Sequence, residues 1–192
     1  MQLSPDEELL AIASASDDEI VFLDVTTLEV VRRIPLAPDD RGINMSFSPD
    51  GRMLAVGSAN SSVYVLDTEI WEPVAGPTAV HDGAVLQVEW SADGRTVVTS
   101  GLDGTVSLYD VERGLVRGRP LAASTDAGEG PTFLVPAPTD ELVVLSGDRA
   151  GRRYPLEPSV WLEEACAVAG RNLTRVEWDR YLPDRPYERT CP

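Results

Sequence analysis

His81 is the only histidine in this 192-residue sequence, and aspartates stand near it at positions 82 and 103. With a serine close by, those residue types could run acyl transfer: a hydroxyl attacks, an imidazole takes its proton and a carboxylate orients the ring. A triad is a geometry, however, and spacing alone does not supply it. Cys166 and Cys191 lie 25 positions apart, far from the four clustered nitrogen or sulfur ligands that a structural zinc ion takes. Asp24, Asp67 and Asp110 form a periodic set of carboxylates that could suggest calcium. No dense Asp/Asn/Gly loop of EF-hand type accompanies them.

Composition narrows the chemistry further. All 16 basic residues are arginines, which excludes a P-loop lysine, a Schiff-base lysine and the phosphate-pairing lysine of protein kinases. The 32 acidic residues leave a formal charge of -16, which repels a phosphate backbone, so no direct nucleic-acid partner is expected. Runs such as Asp17-Asp18-Glu19 and Asp39-Asp40 read as a solvated surface, with docking of a basic partner as the sharper alternative. The acidic start, Met1 to Asp6, has no basic segment followed by an apolar one, and no apolar run approaches the roughly 20 residues that span a bilayer. No membrane association and a cytoplasmic location are therefore expected. In that setting the two cysteines read as a reduced pair by default, with a disulfide as the alternative if the tail folds back on itself. No cofactor or metal is called for.

The elements that would position His81 come from a repeat. The phrases Leu3-Ser4-Pro5-Asp6, Phe47-Ser48-Pro49-Asp50 and Trp90-Ser91-Ala92-Asp93 recur, with a fainter fourth at Ala137-Pro138-Thr139-Asp140; their last residues are 44, 43 and 47 positions apart. Each is followed by two short apolar runs across a turn: Leu9 to Ala13 with Ile20 to Leu23, Met53 to Val56 with Val63 to Leu66, Val97 to Thr99 with Val106 to Tyr109, and Leu142 to Leu145 with Arg152 to Tyr154. Such runs, rich in Val, Ile, Leu and Tyr, are strands. A small sheet that is apolar on both faces needs a neighbour on each side, and radial stacking supplies it.

The stretch from His81 to Asp110 resembles the WD-repeat family. It carries His81-Asp82-Gly83, Trp90-Ser91-Ala92-Asp93-Gly94, Thr99-Ser100-Gly101-Leu102-Asp103-Gly104 and Leu108-Tyr109-Asp110. The resemblance implies an all-β fold of about four β-propeller blades, a partial propeller, over residues 1–157. It also implies a structural hydrogen-bond relay, not a catalytic one, through His81, Thr99, Asp103 and Tyr109, with Tyr109 where the family has tryptophan. The other units place Ala13, Val56 and Val144 in the threonine slot and end on Leu23-Asp24, Leu66-Asp67 and Tyr154-Pro155.

From Ser159 the period changes. Trp161, Leu162, Ala165, Cys166 and Ala169 recur at helical spacing, and Gly170 marks a stop. Thr174 and Glu177 fit a capping box, flanked by Leu173 and Trp178 at the hydrophobic-staple positions, so a second helix runs from Arg175 to about Leu182. A helical tail is thus expected over 158–192. Its sequence, from Gly170-Arg171-Asn172-Leu173-Thr174 to Thr190-Cys191-Pro192, resembles the C-termini of actinobacterial multidomain WD-repeat signalling proteins. That likeness makes the chain read as the last third to half of a longer parent. The expected function is a non-catalytic scaffold that binds a protein or peptide, with pairing of two chains as one way to complete the ring. The alternative is the sensor or docking remnant of a signalling ATPase, kinase or transcription regulator. The segment from Ala123 to Gly130 is the longest flexible loop by composition.

Overall fold

The computed structural model describes residues 1–13, 18–37, 41–117, 121–122, 133–136, 141–145, 151–156 and 158–191. The Ala123–Gly130 segment and the fourth turn phrase, Ala137–Asp140, lie outside them. The chain forms two compact units, Met1–Tyr154 and Pro155–Pro192.

Among the described residues the first unit holds four antiparallel sheets in chain order. Sheet 1 is β1 (Gln2–Leu3), β2 (Leu9–Ala13), β3 (Glu19–Asp24) and β4 (Val30–Pro35); sheet 2 is β5 (Gly42–Phe47), β6 (Met53–Ser58), β7 (Ser62–Asp67) and β8 (Pro73–Ala79). Sheet 3 is β9 (Val85–Trp90), β10 (Thr96–Gly101) and β11 (Thr105–Asp110), with the outer strand in two pieces, β12 (Leu115–Val116) and β13 (Leu121–Ala122), both on β11. Sheet 4 is β14 (Phe133–Pro136), β15 (Glu141–Leu145) and β16 (Gly151–Pro155). Within each sheet the strands pair in sequence order as a meander, except that β13, like β12, pairs with β11.

One turn is built three times. In the Ser-x-Asp phrase between the first two strands, the serine hydroxyl donates to the aspartate two residues on: Ser4 to Asp6 at 2.6 Å, Ser48 to Asp50 at 2.6 Å and Ser91 to Asp93 at 2.7 Å. Each serine oxygen also accepts the amide that opens the next strand, from Leu9, Met53 and Thr96, at 2.9 Å in each case. The repeated phrase is therefore a hydrogen-bonded clamp that sets strand register.

The periodic aspartates at the ends of the third strands also turn the chain. Asp24 accepts the amides of Thr26 and Thr27, and Asp67 those of Glu69 and Ile70. Asp110 accepts the Arg113 amide and takes the guanidinium groups of Arg113 and Arg117 at 2.7 and 2.8 Å. Burial alone would raise the Asp110 pKa, but those hydrogen bonds hold it at about 2.

The sheets bury their faces against each other. Between sheets 1 and 2, Ala11, Ile20, Phe22 and Ile34 meet Met45, Leu54, Val56, Tyr64 and Leu66. Phe22 also packs edge-on against Trp71, ring centroids 4.6 Å apart. Between sheets 2 and 3, Ala55, Val63 and Val65 meet Val85, Val88, Val97 and Tyr109.

The innermost strands are stitched by side chains reaching across sheets. Asn44 Oδ1 accepts the Val88 amide at 3.1 Å, and Gln87 Oε1 accepts the Leu134 amide at 2.6 Å while its NH2 donates to the Leu134 carbonyl at 3.4 Å. Trp90 Nε1 donates to the Ser46 carbonyl at 2.8 Å.

The second unit contains α1 (Pro158–Ala169) and α2 (Arg175–Tyr181). Thr174 caps α2 in a full capping box with Glu177, whose carboxylate also grips Arg171 at 2.8 Å and is thereby held well below the usual range. Trp178 is the one fully buried side chain of the unit among the described residues. It packs on Tyr187 and donates from Nε1 to the Arg185 carbonyl.

The reduced-thiol expectation is corrected here: Cys166 and Cys191 form a disulfide, with Cα atoms 5.4 Å apart. The cause is local. The Asn172 side chain accepts the amides of Thr190 and Cys191 and donates to the Cys191 carbonyl, folding the C-terminal segment onto α1.

Candidate functional site

His81 follows β8 and precedes β9, at the junction of sheets 2 and 3. Its side chain is fully buried. Nε2 lies 2.8 Å from Thr99 Oγ1; Nδ1 lies 2.9 Å from Thr105 Oγ1 and 3.2 Å from Asp103 Oδ1. Because Thr105 Oγ1 donates its proton to Asp103 at 2.8 Å, its oxygen must accept from the imidazole, so Nδ1 carries the hydrogen and Nε2 accepts from Thr99. Asp103 Oδ2 in turn accepts the Asp82 amide at 2.8 Å, which ties the loop before β9 to the turn between β10 and β11.

The electrostatics suit a neutral ring. Burial lowers the His81 pKa below its ordinary value, and the Asp103 carboxylate opposes that only in part. Burial alone would raise the Asp103 pKa, but the amides of Asp82 and Thr105 and the Thr105 hydroxyl hold it down. Asp103 therefore stays charged while His81 does not.

Of the residues singled out in the sequence, His81, Thr99 and Asp103 come together. Tyr109 is buried on the same sheet, but its hydroxyl accepts from Thr78 at 3.5 Å instead. Sequence reasoning missed Thr105, the ring's second hydroxyl partner. It also missed Gly101, where a β-carbon would stand 2.5 Å from His81 Nδ1 and 2.5 Å from Asp103 Oδ1. The threonine slot of sheet 1 is corrected as well. The strand register aligns Thr99 with Val56 and Ile12, so Ile12 and not Ala13 occupies it.

An open cleft of about 340 Å³ lies over this network, walled by Ala79, Val80, His81, Asp82, Asp103, Thr105 and Val116. Asp82 is exposed at its rim. Thr99 is fully buried and lies outside the wall, whereas the half-buried Thr105 is part of it.

Comparison with known proteins bears on the repeat. Residues 38–67 and 77–110 match the family model described as WD domain, G-beta repeat. Sheets 2 and 3 are thus similar to WD repeats, and the four sheets have the fold of β-propeller blades. An uncharacterized WD repeat-containing protein of Schizosaccharomyces pombe is 35% identical over 69 residues, 36% of this chain and 12% of that protein. COMPASS component SWD1 of Saccharomyces cerevisiae is 32% identical over 72 residues, covering 36% of this chain and 17% of that one. This chain thus spans less than a fifth of the length of either relative. In structure, Chaetomium thermophilum Sqt1, solved bound to the N-terminus of the ribosomal protein L10, superposes with a TM-score of 0.63 at 20% identity, over 80% of this chain and 42% of that one. The computationally designed Ika4 protein gives 0.64 at 15% identity, over 78% and 86%. At those identities the likeness is one of fold.

Proposed function

We propose that the blades form a non-catalytic interaction scaffold that takes a protein or peptide at the open cleft between blades 2 and 3. The observation that carries this is the division of labour around His81. The polar groups of the network hold the strand-connecting loops in place, and the cleft over them is walled in part by Asp103 and Thr105, with the Asp82 carboxylate exposed at its rim. A rigid edge with fixed loops binds without chemistry. Against a chain of formal charge -16, the partner segment that fits is basic. Sqt1, a structural neighbour, holds the N-terminus of a ribosomal protein, and the mode proposed here is likewise capture of a short segment. His81, Thr99 and Asp103 act as a structural relay in this reading.

The test is fluorescence anisotropy of matched basic and acidic peptides titrated with the purified chain. Binding of the basic peptides alone, weakened by salt and by Asp82→Asn, is the expected result. Equal affinity for both charges, or no binding to either, overturns the reading. The resemblance of the tail to actinobacterial signalling proteins favours a second reading, in which the scaffold is the docking part of a signalling ATPase, kinase or transcription regulator.

A further inference from the structure

The tail unit has an open cleft of about 390 Å³, walled by Glu163, Cys166, Gly170, Arg171, Asn172 and Cys191. Both halves of the disulfide stand in that wall, and each cysteine is only half-buried. The surroundings of the two sulfurs are polar and open: Cys166 Sγ lies 3.6 Å from the Thr190 carbonyl oxygen and Cys191 Sγ 3.9 Å from that of Arg171. A disulfide is cleaved when a thiolate reaches one of its sulfurs, so access separates an exchangeable bond from an inert one. Sulfurs that line an open cleft are within reach.

The bond fastens a segment that covers an aromatic side chain. Asn172 Oδ1 accepts the amides of Thr190 and Cys191 at 2.9 and 2.8 Å, next to the disulfide. A few residues earlier, Tyr187 donates its hydroxyl to the Leu173 carbonyl at 3.1 Å and packs on Trp178, ring centroids 5.5 Å apart. Trp178 is 1% exposed under this cover, while Tyr181, three residues on along α2, is 63% exposed. If the segment lifts, the indole joins Tyr181 in one aromatic patch on α2.

We propose that Cys166–Cys191 is a thiol–disulfide exchange site, opened in the folded chain by a dithiol reductant, and that its opening uncovers Trp178. The attacking thiolate bonds to one of the two sulfurs. The Cys166–Cys191 bond breaks, and its electron pair leaves on the other sulfur, which takes up a proton. The second thiol of the reductant then attacks the mixed disulfide and frees the first cysteine, so the reductant leaves as a disulfide after giving two electrons and two protons. The two thiols stay tethered by the 25-residue separation, so an oxidised thiol partner closes the bond again. This site lies wholly within the tail and does not rest on the peptide-binding reading of the blades.

Dithiothreitol added to the folded, full chain without denaturant tests it. Samples quenched in acid are alkylated and mapped by mass spectrometry, and hydrogen exchange is followed over α2. The expected result is complete reduction at a rate within about tenfold of that of the chain unfolded in urea, with the far-ultraviolet signal of the strands unchanged. Exchange over Arg175–Tyr181 rises in the reduced chain and returns to its starting level when oxidised glutathione restores the bond. A disulfide that resists the dithiol until urea unfolds the chain overturns the proposal. So does a reduced chain whose exchange over α2 is unchanged, or one that oxidised glutathione cannot close.

Discussion

Gly101 and His81 are in direct apposition: a β-carbon on the glycine would stand 2.5 Å from the imidazole Nδ1. The strand must pass this close for Asp103 to reach both the ring and the Asp82 amide. Gly101→Ala is therefore expected to push the ring away and cost about 1–3 kcal/mol, the range of an overpacked core. His81→Ala leaves the Thr99 and Thr105 hydroxyls without their ring partner and costs about 2–4 kcal/mol. Urea unfolding monitored by circular dichroism measures both, and a neutral Gly101→Ala would mean that the network tolerates displacement.

The same histidine makes stability depend on pH, with a definite sign. Its folded pKa lies below the ordinary 6.5, so between those two values the unfolded chain binds a proton that the folded chain refuses. Stability is then fully present above 6.5 and falls as pH drops toward the folded value. The urea midpoint should decline across that interval, and His81→Gln should flatten the decline. A midpoint that rises on acidification would contradict a neutral buried ring.

Asp110 gives a second, lower window. Held at about 2 against an ordinary 3.8 by Arg113 and Arg117, it contributes stability that is present above 3.8 and lost as pH falls through about 2. Asp110→Asn should remove that portion of the acid dependence and destabilise the turn between β11 and β12 at neutral pH. Acid titration of the two proteins, followed by tryptophan fluorescence, compares them.

How much of this was legible depends on how far each feature reaches along the chain. The Ser-x-Asp turns are local, so three appearances of one phrase located three sheets. The relay spans 24 residues from His81 to Thr105, and the family resemblance, not periodicity, brought most of it to notice. The Ile12 slot was misplaced by one residue because apolar runs carry no internal marker of register; only pairing with β3 fixes it. Asn44 and Gln87 were not singled out. A signal did exist, since they stand 43 positions apart, the same interval as Asp50 and Asp93. The disulfide stood only as the alternative to a reduced pair for a different reason: it depends on Asn172 turning the chain back, which spacing between cysteines does not encode.

That inter-blade stitch is itself testable. Gln87→Ala strips partners from both the amide and the carbonyl of Leu134, and two unsatisfied backbone groups should cost about 2–4 kcal/mol. Gln87→Glu keeps an acceptor for the amide and should cost less. Hydrogen exchange would localise the effect to β14 in both variants; loss spread evenly over all four blades would argue against a stitch acting at one junction.

The tail depends on its covalent link more than the blades depend on any one bond. A unit of this size, with Trp178 as its one fully buried side chain among the described residues, falls in the range where small folds lean on disulfides. Closing a loop of 25 residues between Cys166 and Cys191 restricts the unfolded tail by about 3.5 kcal/mol in the chain-entropy model. Reduction, or Cys191→Ser, should therefore release the segment around Thr190 from Asn172 and weaken the packing of Tyr187 on Trp178, while the strands of blades 1 to 3 keep their far-ultraviolet signal. Limited proteolysis with and without reductant reads this directly: new cleavage confined to 158–191 is the expected pattern. Protection that survives complete reduction would show that the capping box and the Asn172 clamp suffice alone. Because such a bond persists only where thiols are not kept reduced, mapping the thiol state of the chain isolated from its native cells by mass spectrometry also tests the cytoplasmic expectation: an intact disulfide there argues for an oxidising compartment.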